Sequence, residues 1–291
     1  MGNRETIIKV SKVSIASNVL LCIFKMAAGI AGKSSAMVAD GVHSLSDVLG
    51  SVLVVIGAVV SNRASDKEHQ YGHERLECII SLILANILLL VGAGIGYNGV
   101  MEIIDPEGIA VPGKLALAAA AVSLIVKELL FRYTIRAAKR IDSVSLAAEA
   151  WHHRTDALSS VGSFIGILGA ILGVPVIQSV ACVLIAFMII KVAIDIYRDT
   201  FNRLIDRACD DDKTAELRKI VEEQEGVVCI DDLKTRLFGS KIYVDIEIGC
   251  DESLSLSEAH DVAERVHRAV EQGRDDIKHC TVHVNPCRKD I

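Results

Sequence analysis

Long apolar runs alternate with short charged segments over the first two thirds of the chain. The runs cover about 12–32, 36–61, 77–100, 114–132, 145–172 and 176–197. Each is long enough to cross the roughly 30 Å hydrocarbon core of a bilayer as a helix. The pattern predicts a membrane-embedded bundle of six transmembrane helices, and we assign it to a domain over 1–205.

After Asp206 the pattern becomes amphipathic. It predicts a helix over 212–224, strands over 227–237 and 240–249, a helix over 256–272 and a strand over 277–285. Ser255 and Glu258 form a capping box at the start of the second of these helices. One apolar helix face packed on a small sheet predicts a small α+β domain over 206–291.

Composition supports this division. Of 291 residues, 51% are hydrophobic and 23% charged, so the two kinds of residue must be segregated. A net charge of −6, with no basic run interleaved with aromatic residues, argues against a nucleic-acid partner. The 8 cysteines contain no C-x-x-C pair and do not read as a disulfide framework.

Loop charge predicts the orientation in the bilayer. Segments 1–12, 62–76 and 132–142 are rich in Lys and Arg, whereas 101–113 contains acidic residues and no Lys or Arg. Positively charged loops stay in the cytoplasm. We therefore expect an integral membrane protein with both termini cytoplasmic.

Two His-x-x-x-Asp pairs lie inside the predicted spans, His43 with Asp47 and His152 with Asp156. Ionisable groups at bilayer depth cost about 3 kcal/mol each on insertion scales, so they usually carry function. Spacing of four residues puts both members of a pair on one helix face. The second and fifth spans run antiparallel, so the pairs can meet near the midplane, where transporters place their sites.

Two imidazole nitrogens and two carboxylates suit tetrahedral Zn²⁺, whereas Ca²⁺ and Mg²⁺ prefer six or more oxygens. The alternative is that each pair is a structural hydrogen-bonding couple. His153 could replace His152 as a ligand. Asp40, one turn before His43, could be a ligand, a proton acceptor or an interface residue.

Three lysines also lie in or near the spans, Lys25, Lys127 and Lys191. Long cationic side chains near helix ends extend to the interface, and Lys191 is spaced i, i+4 from Asp195 for a local ion pair. We therefore expect these lysines to have no part in transport.

The loop after the second span contains a further candidate metal site, formed by Asp66, His69 and His73. The alternative is a solvated loop whose histidines are unrelated to metal.

The doubled His-x-x-x-Asp, the run Asp66-Lys-Glu-His69-Gln-Tyr-Gly-His73 and the ending His283-Val-Asn-Pro-Cys287 together resemble the cation diffusion facilitator family of metal exporters. The resemblance covers essentially the whole chain. It implies a dimer formed through a metallochaperone-like, ferredoxin-like tail. It also implies that a metal in the loop steadies the loop or feeds ions inward, and that Arg75 pairs with Asp206.

The same resemblance places tail ligands at Asp231, Glu247, His260 and His283. Relatives with a two-metal tail have His at the first two positions and Asp where this chain has Asn285; His260 and His283 keep the family's residue type. We therefore expect a tail that binds weakly, binds one ion, uses Cys280 or Cys287, or is vestigial.

The residues together with the resemblance imply a homodimeric exporter in the bacterial inner membrane that exchanges Zn²⁺ for protons by alternating access. Cd²⁺, Fe²⁺ and Co²⁺ are further candidate cargoes, and Zn²⁺ is also a candidate structural or regulatory ion. Metal needs neutral imidazole and ionised carboxylate, which couples it to protons. The rival hypotheses are a membrane metal sensor or scaffold without flux, and an intramembrane zinc enzyme, for which no H-E-x-x-H motif occurs.

Overall fold

The computed structural model describes residues 3–61, 65–106, 109–141, 143–239, 241–272, 274 and 276–287. Each predicted span corresponds to a long helix. The six helices are α1 (Asn3–Ala31), α2 (Ser35–Ser61), α3 (Arg75–Ile104), α4 (Lys114–Ile141), α5 (Val144–Ile171) and α6 (Val176–Leu204). Several are longer than the apolar runs because charged ends continue the helix, as Lys139 and Arg140 do in the last turn of α4.

Three of the described helices are long and apolar enough to cross a membrane by length and composition alone. They are Ile8–Ala31, Arg75–Ile104 and Val176–Leu204. Helices α4 and α5 contain more charged and polar residues, and several of these lie inside the bundle.

The chain forms two compact units. One consists of Met1–Leu53 and Ile83–Ile196, and the other of Val54–Leu82 and Tyr197–Ile291. Small side chains fill much of the helical unit, among them Ala28, Ala36, Ala116, Ala119, Ala120 and Ala181. Small residues let helices approach closely. At Gly29, a Cβ atom would lie 2.8 Å from the Val38 backbone nitrogen, so α1 and α2 require glycine at this position.

The tail continues with α7 (Asp211–Glu222), β1 (Cys229–Phe238), β2 (Lys241–Asp251), α8 (Leu256–Gln272) and β3 (Ile277–Cys287). The strand order is β1-β2-β3, with β1 antiparallel and β3 parallel to β2. The predicted order of elements is therefore correct. Ser240, where we predicted that the second strand begins, lies outside the described residues.

The tail core forms between α8 and one face of the sheet. Alternate residues of β2 (Ile242, Val244, Ile246 and Ile248) pack with Val262, Val266 and Val270 of α8. The capping box is present, since the Ser255 backbone N–H donates to Glu258 Oε2 at 2.8 Å and the Glu258 N–H donates to Ser255 Oγ at 3.3 Å.

Tyr243 lies on the other face of β2, opposite the residues that pack against α8. It is nevertheless buried. Its hydroxyl donates to the Tyr71 carbonyl at 3.0 Å, and its ring contacts the Phe238 ring at a centroid distance of 5.1 Å. The loop that contains Tyr71 covers this part of the sheet.

Candidate metal centres

A buried cluster of ligand atoms joins α2 and α5. His43, Asp47 and Asp156 each offer one ligand atom, and these atoms lie within 4.8 Å of one another. His43 and Asp156 are each 4% exposed. His43 Nδ1 has no hydrogen-bond partner among the described residues. A buried polar atom without a partner is costly unless a ligand completes it, so this nitrogen is suited to bind a metal ion.

His152 lies at the edge of this cluster. Its Nδ1 is 3.6 Å from Asp156 Oδ1, and 58% of its side chain is exposed. The structure therefore gathers three of the four predicted ligands and leaves the fourth, His152, outside the group of atoms within 4.8 Å of one another. His153 is buried, and its Nε2 lies 2.6 Å from Ser14 Oγ, which connects α5 to α1.

Asp40 forms a buried ion pair. Lys25 Nζ lies 2.8 Å from Asp40 Oδ2, and both side chains are 0% exposed. The Lys25 ammonium also donates to Ser44 Oγ at 3.0 Å and Ser160 Oγ at 2.9 Å. Ser159 Oγ donates to Asp40 Oδ1 at 2.8 Å. The network connects α1, α2 and α5, and its hydrogen bonds offset the cost of burying two charges.

The expectation that the lysines reach the helix ends is wrong for Lys25 and Lys127. Lys127 Nζ lies 2.9 Å from Asp156 Oδ2, with 1% of the lysine side chain exposed, and donates to Asn18 Oδ1 at 3.1 Å. Lys127 lies near the middle of α4. Its ammonium group is hydrogen-bonded to the Asp156 carboxylate and the Asn18 amide, and it does not extend to the interface to contact water. Lys191 is exposed.

The loop residues Asp66, His69 and His73 form a second cluster, with their ligand atoms within 4.8 Å of one another. Asp66 Oδ1 lies 3.4 Å from His69 Nδ1, and Asp66 Oδ2 lies 3.3 Å from His73 Nε2. One carboxylate thus spans two imidazoles, which leaves room for solvent or a further ligand in a tetrahedral site.

Backbone hydrogen bonds hold the Asp66 carboxylate in place. The His69 N–H donates to Oδ1 at 2.7 Å and the Glu68 N–H at 2.9 Å. The bond from His69 is the largest cause that lowers the pKa of Asp66 below its usual value. The carboxylate is therefore ionised at neutral pH, as a metal ligand must be.

The predicted pair of Arg75 and Asp206 is present. Arg75 Nη2 lies 2.6 Å from Asp206 Oδ1, and its guanidinium lies 4.8 Å from the centre of the Phe238 ring. A cavity of about 840 Å³ beside these residues is lined by the loop cluster and by Arg236, Phe238 and Tyr243 of the sheet. The loop site is therefore open to ions from solvent.

Comparison with known proteins decides the family. A model of the cation efflux transmembrane domain matches residues 11–205, and one of the cation efflux protein cytoplasmic domain matches 209–287. The chain belongs to the cation efflux family, the cation diffusion facilitators. It is therefore an integral membrane protein that exports divalent metal cations, and the predicted fold of a helical bundle with a small α+β tail is confirmed.

Several relatives of this cation efflux protein match over nearly their whole length. The manganese efflux system protein MneP of Bacillus subtilis is 29% identical over 96% of this chain and 95% of its own. The manganese efflux system protein MneS of the same organism is 32% identical over 94% of this chain and 93% of its own length. The magnetosome protein MamB of Magnetospira is 29% identical over 91% of this chain and 90% of its own length. Among solved structures, a cadmium form of the MamM C-terminal domain covers 26% of the chain at 24% identity, with a TM-score of 0.26.

In the tail of this cation efflux protein, an amide lies between two of the predicted ligands. Asn285 Nδ2 donates to Asp231 Oδ2 at 2.9 Å and to Glu247 Oε2 at 3.4 Å. The amide N–H₂ group thus bridges two carboxylates at the position where a metal would neutralise them. Since an amide carries no charge, this arrangement stabilises the acids without requiring an ion.

The remaining tail candidates are separated. His283 is aligned with Glu247 on the neighbouring strand, whereas His260 is exposed on α8, the helix that covers the opposite face of the sheet. In the described part of the chain, two groups have three or more ligand atoms within 4.8 Å of one another, the cluster that contains Asp156 and the cluster that contains Asp66. Neither includes a residue of the tail.

The two cysteines considered for the tail differ in access. Cys280 is 1% exposed, and burial raises its pKa to about 12, which keeps it a thiol. Cys287 is half-buried, and its Sγ lies 3.2 Å from Cys229 Sγ. No local sequence signal singles out Cys229, because the two cysteines meet only through the strand register.

Proposed function

We propose that this cation efflux protein is a homodimer that exports Zn²⁺ from the cytoplasm in exchange for protons. The transport ligands are His43, Asp47 and Asp156, with His152 as the fourth. The observation that carries the proposal is the buried cluster with an unpartnered His43 Nδ1 inside a bundle of long apolar helices. Such a site is expensive to maintain in a membrane protein unless it binds a substrate.

The position of His152 supports alternating access. Three ligand atoms are already gathered, while the His152 imidazole is largely exposed and 3.6 Å from Asp156. An ion that has entered would draw His152 inward and complete four-coordination, and release would reverse this movement. Metal requires ionised carboxylates and neutral imidazoles, so protons that arrive at the same atoms expel it.

The ligand set favours Zn²⁺ as cargo. Two imidazole nitrogens and two carboxylate oxygens match its tetrahedral preference, whereas an all-oxygen site would favour Mn²⁺ or Mg²⁺. The names of MneP and MneS make Mn²⁺ the second candidate.

We further propose that the protein lies in a bacterial inner membrane with both termini in the cytoplasm, as the loop charges indicate. The transmembrane domain spans 1–205, and the tail spans 206–291 and provides the dimer contact. The loop cluster at Asp66 binds metal outside the transport path. Asp231, Glu247, His260 and His283 form at most a weak tail site.

Uptake into proteoliposomes tests the proposal. Purified protein, an imposed pH gradient and a panel of Zn²⁺, Mn²⁺, Cd²⁺, Fe²⁺ and Co²⁺ should give flux that depends on the gradient and is fastest for Zn²⁺. Asp47→Ala or Asp156→Ala should abolish the flux, because a ligand and its charge are lost together. Asp195→Ala, which removes an exposed carboxylate on α6, should not.

Each component can fail separately. Metal binding without flux in the unmodified protein would favour the sensor or scaffold. Flux that does not depend on the pH gradient would contradict proton exchange. Faster transport of Mn²⁺ than of Zn²⁺ would make Mn²⁺ the cargo.

A further inference from the structure

Two cysteines meet above a glycine on the open face of the tail sheet. Cys229 on β1 pairs with Gly249 on β2, and Cys287 on β3 pairs with Asp251, two residues further along. Their sulfur atoms are 3.2 Å apart. A Cβ atom at position 249 would collide with Cys229 Sγ and lie 3.0 Å from Cys287 Sγ. The missing side chain of Gly249 therefore creates the space that the two sulfurs occupy.

The sheet topology disfavours a disulfide at this position. Strands β1 and β3 lie on opposite sides of β2, so the two Cα atoms are separated by two strand spacings, roughly 9 Å in total. Disulfides require Cα atoms about 4.4–6.8 Å apart. Direct bonding would need movement of a strand, whereas an ion between the sulfurs would span the gap.

The sulfur positions suit a metal ion. With Zn–S bonds of about 2.3 Å, two sulfurs in a tetrahedral site are about 3.8 Å apart. A small rotation of either side chain provides that separation. Both thiols are partly exposed, so an ion can reach them.

A carboxylate lies next to Cys229, although Asp231 and the two sulfurs are not all within 4.8 Å of one another. Cys229 Sγ donates to Asp231 Oδ1 at 3.4 Å, close to the roughly 3.5 Å between a sulfur and an oxygen bound to one zinc ion. The strand register shifts between Ile230 and Asp232. Such a bulge changes the direction of a side chain, here that of Asp231.

We propose that Cys229 and Cys287 bind a thiophilic divalent cation above Gly249, and that the Asp231 carboxylate beside Cys229 turns towards the ion as a third ligand. Binding forms two metal–sulfur bonds and releases the two thiol protons to solvent, with no change in oxidation state. Two thiolates make this site softer than the buried cluster at Asp156, so it prefers Cd²⁺ and Zn²⁺ over Mn²⁺. It lies outside the transport path and does not depend on which ion is transported.

The test is a Cd²⁺ titration of the full-length protein in detergent, followed by the ultraviolet charge-transfer absorption of cadmium thiolate. Carboxylate and imidazole sites do not produce this band. We expect a band that saturates at one ion per chain, and that Cys229→Ser and Cys287→Ser each abolish. Cys280→Ser, which alters a fully buried thiol, should leave it unchanged. Gly249→Ala should weaken binding at least tenfold with both thiols intact.

A measurement without mutation guards against misfolded variants. Alkylation of Cys229 and Cys287, read by peptide mass spectrometry in the unmodified protein, should slow when Cd²⁺ is added. Equal labelling with and without Cd²⁺ would overturn the proposal, and so would a band that survives both serine variants. A Cys229–Cys287 disulfide found in a non-reduced digest would show a redox pair in place of a metal site.

Discussion

The Lys127 ammonium lies 2.9 Å from Asp156 Oδ2, so a proposed transport ligand already has a positive partner in the interior of the helical unit. Asn18 Oδ1 accepts a second bond from the same ammonium at 3.1 Å. A divalent ion that binds Asp156 must compete with this fixed cation. We therefore expect Lys127 to keep the affinity for metal low enough for release and to provide a countercharge for Asp156 when no metal is bound.

Replacing Lys127 by Met, which has a similar shape and no charge, should raise the affinity for Zn²⁺ about tenfold, or about 1.4 kcal/mol. The rate of transport should fall because release becomes slower. Competition with a fluorescent chelator measures affinity, and proteoliposome flux measures the rate. Lys191→Met, at an exposed lysine, is the matched control. An affinity equal to that of the unmodified protein would show that Lys127 is only a structural partner of Asp156.

His43→Asp should shift the preference from Zn²⁺ towards Mn²⁺. A third carboxylate hardens the site and weakens the tetrahedral selection that imidazole provides. Initial uptake rates across a panel of ions give the ranking. An unchanged ranking would count against selection by the buried cluster.

Combined replacement of Asp66, His69 and His73 by Ala should slow transport without eliminating it. The three ligands lie in the loop before α3, where Asp66 and His69 are exposed and His73 is buried, and not in the cluster around Asp156. Flux at saturating Zn²⁺ measures the effect. Complete loss of flux in a folded variant would place the loop on the ion path.

The order of this loop should depend on pH through Asp66. Its carboxylate accepts two backbone N–H bonds that lower its pKa in the folded protein. The stability that ionised Asp66 gives to the folded loop is therefore fully present above the ordinary pKa of Asp, about 3.9. It is lost as pH falls through the lower pKa of Asp66 in the folded protein. Hydrogen exchange at the Glu68 and His69 amides should remain protected at neutral pH and lose protection only in acid. Asp66→Asn should weaken the protection at neutral pH, and equal protection in both proteins would show that other contacts order the loop.

Asn285→Asp should strengthen Zn²⁺ binding by the tail about tenfold. The change replaces the amide that bridges Asp231 and Glu247 by a third carboxylate, which repels both acids until a cation binds. Calorimetric titration of domain 206–291, whose core consists of its own residues, gives the affinity. The unmodified fragment should fold and dimerise without metal. Two tight ions in the unmodified fragment would show that Asn285 does not weaken the site.

The sequence by itself determined the elements and the chemistry that lies within one helix. Apolar runs of sufficient length predict the six helices because a bilayer requires about twenty apolar residues per span. The spacing of four in His43–Asp47 and His152–Asp156 places each pair on one helix face, since that relation depends only on the period of 3.6 residues. The capping box and the alternation along β2 were predictable for the same reason, because they are local.

Only the tertiary structure decided which groups from different elements meet. Lys25 and Lys127 read as interfacial lysines until packing placed Asp40 and Asp156 beside their ammonium groups. Packing also left His152 at the edge of its cluster, and strand register brought Cys229 to Cys287 across Gly249. The energy of a buried charge or thiol depends on its neighbours in space, and neighbours that are distant along the chain are fixed by the packing of whole helices and strands.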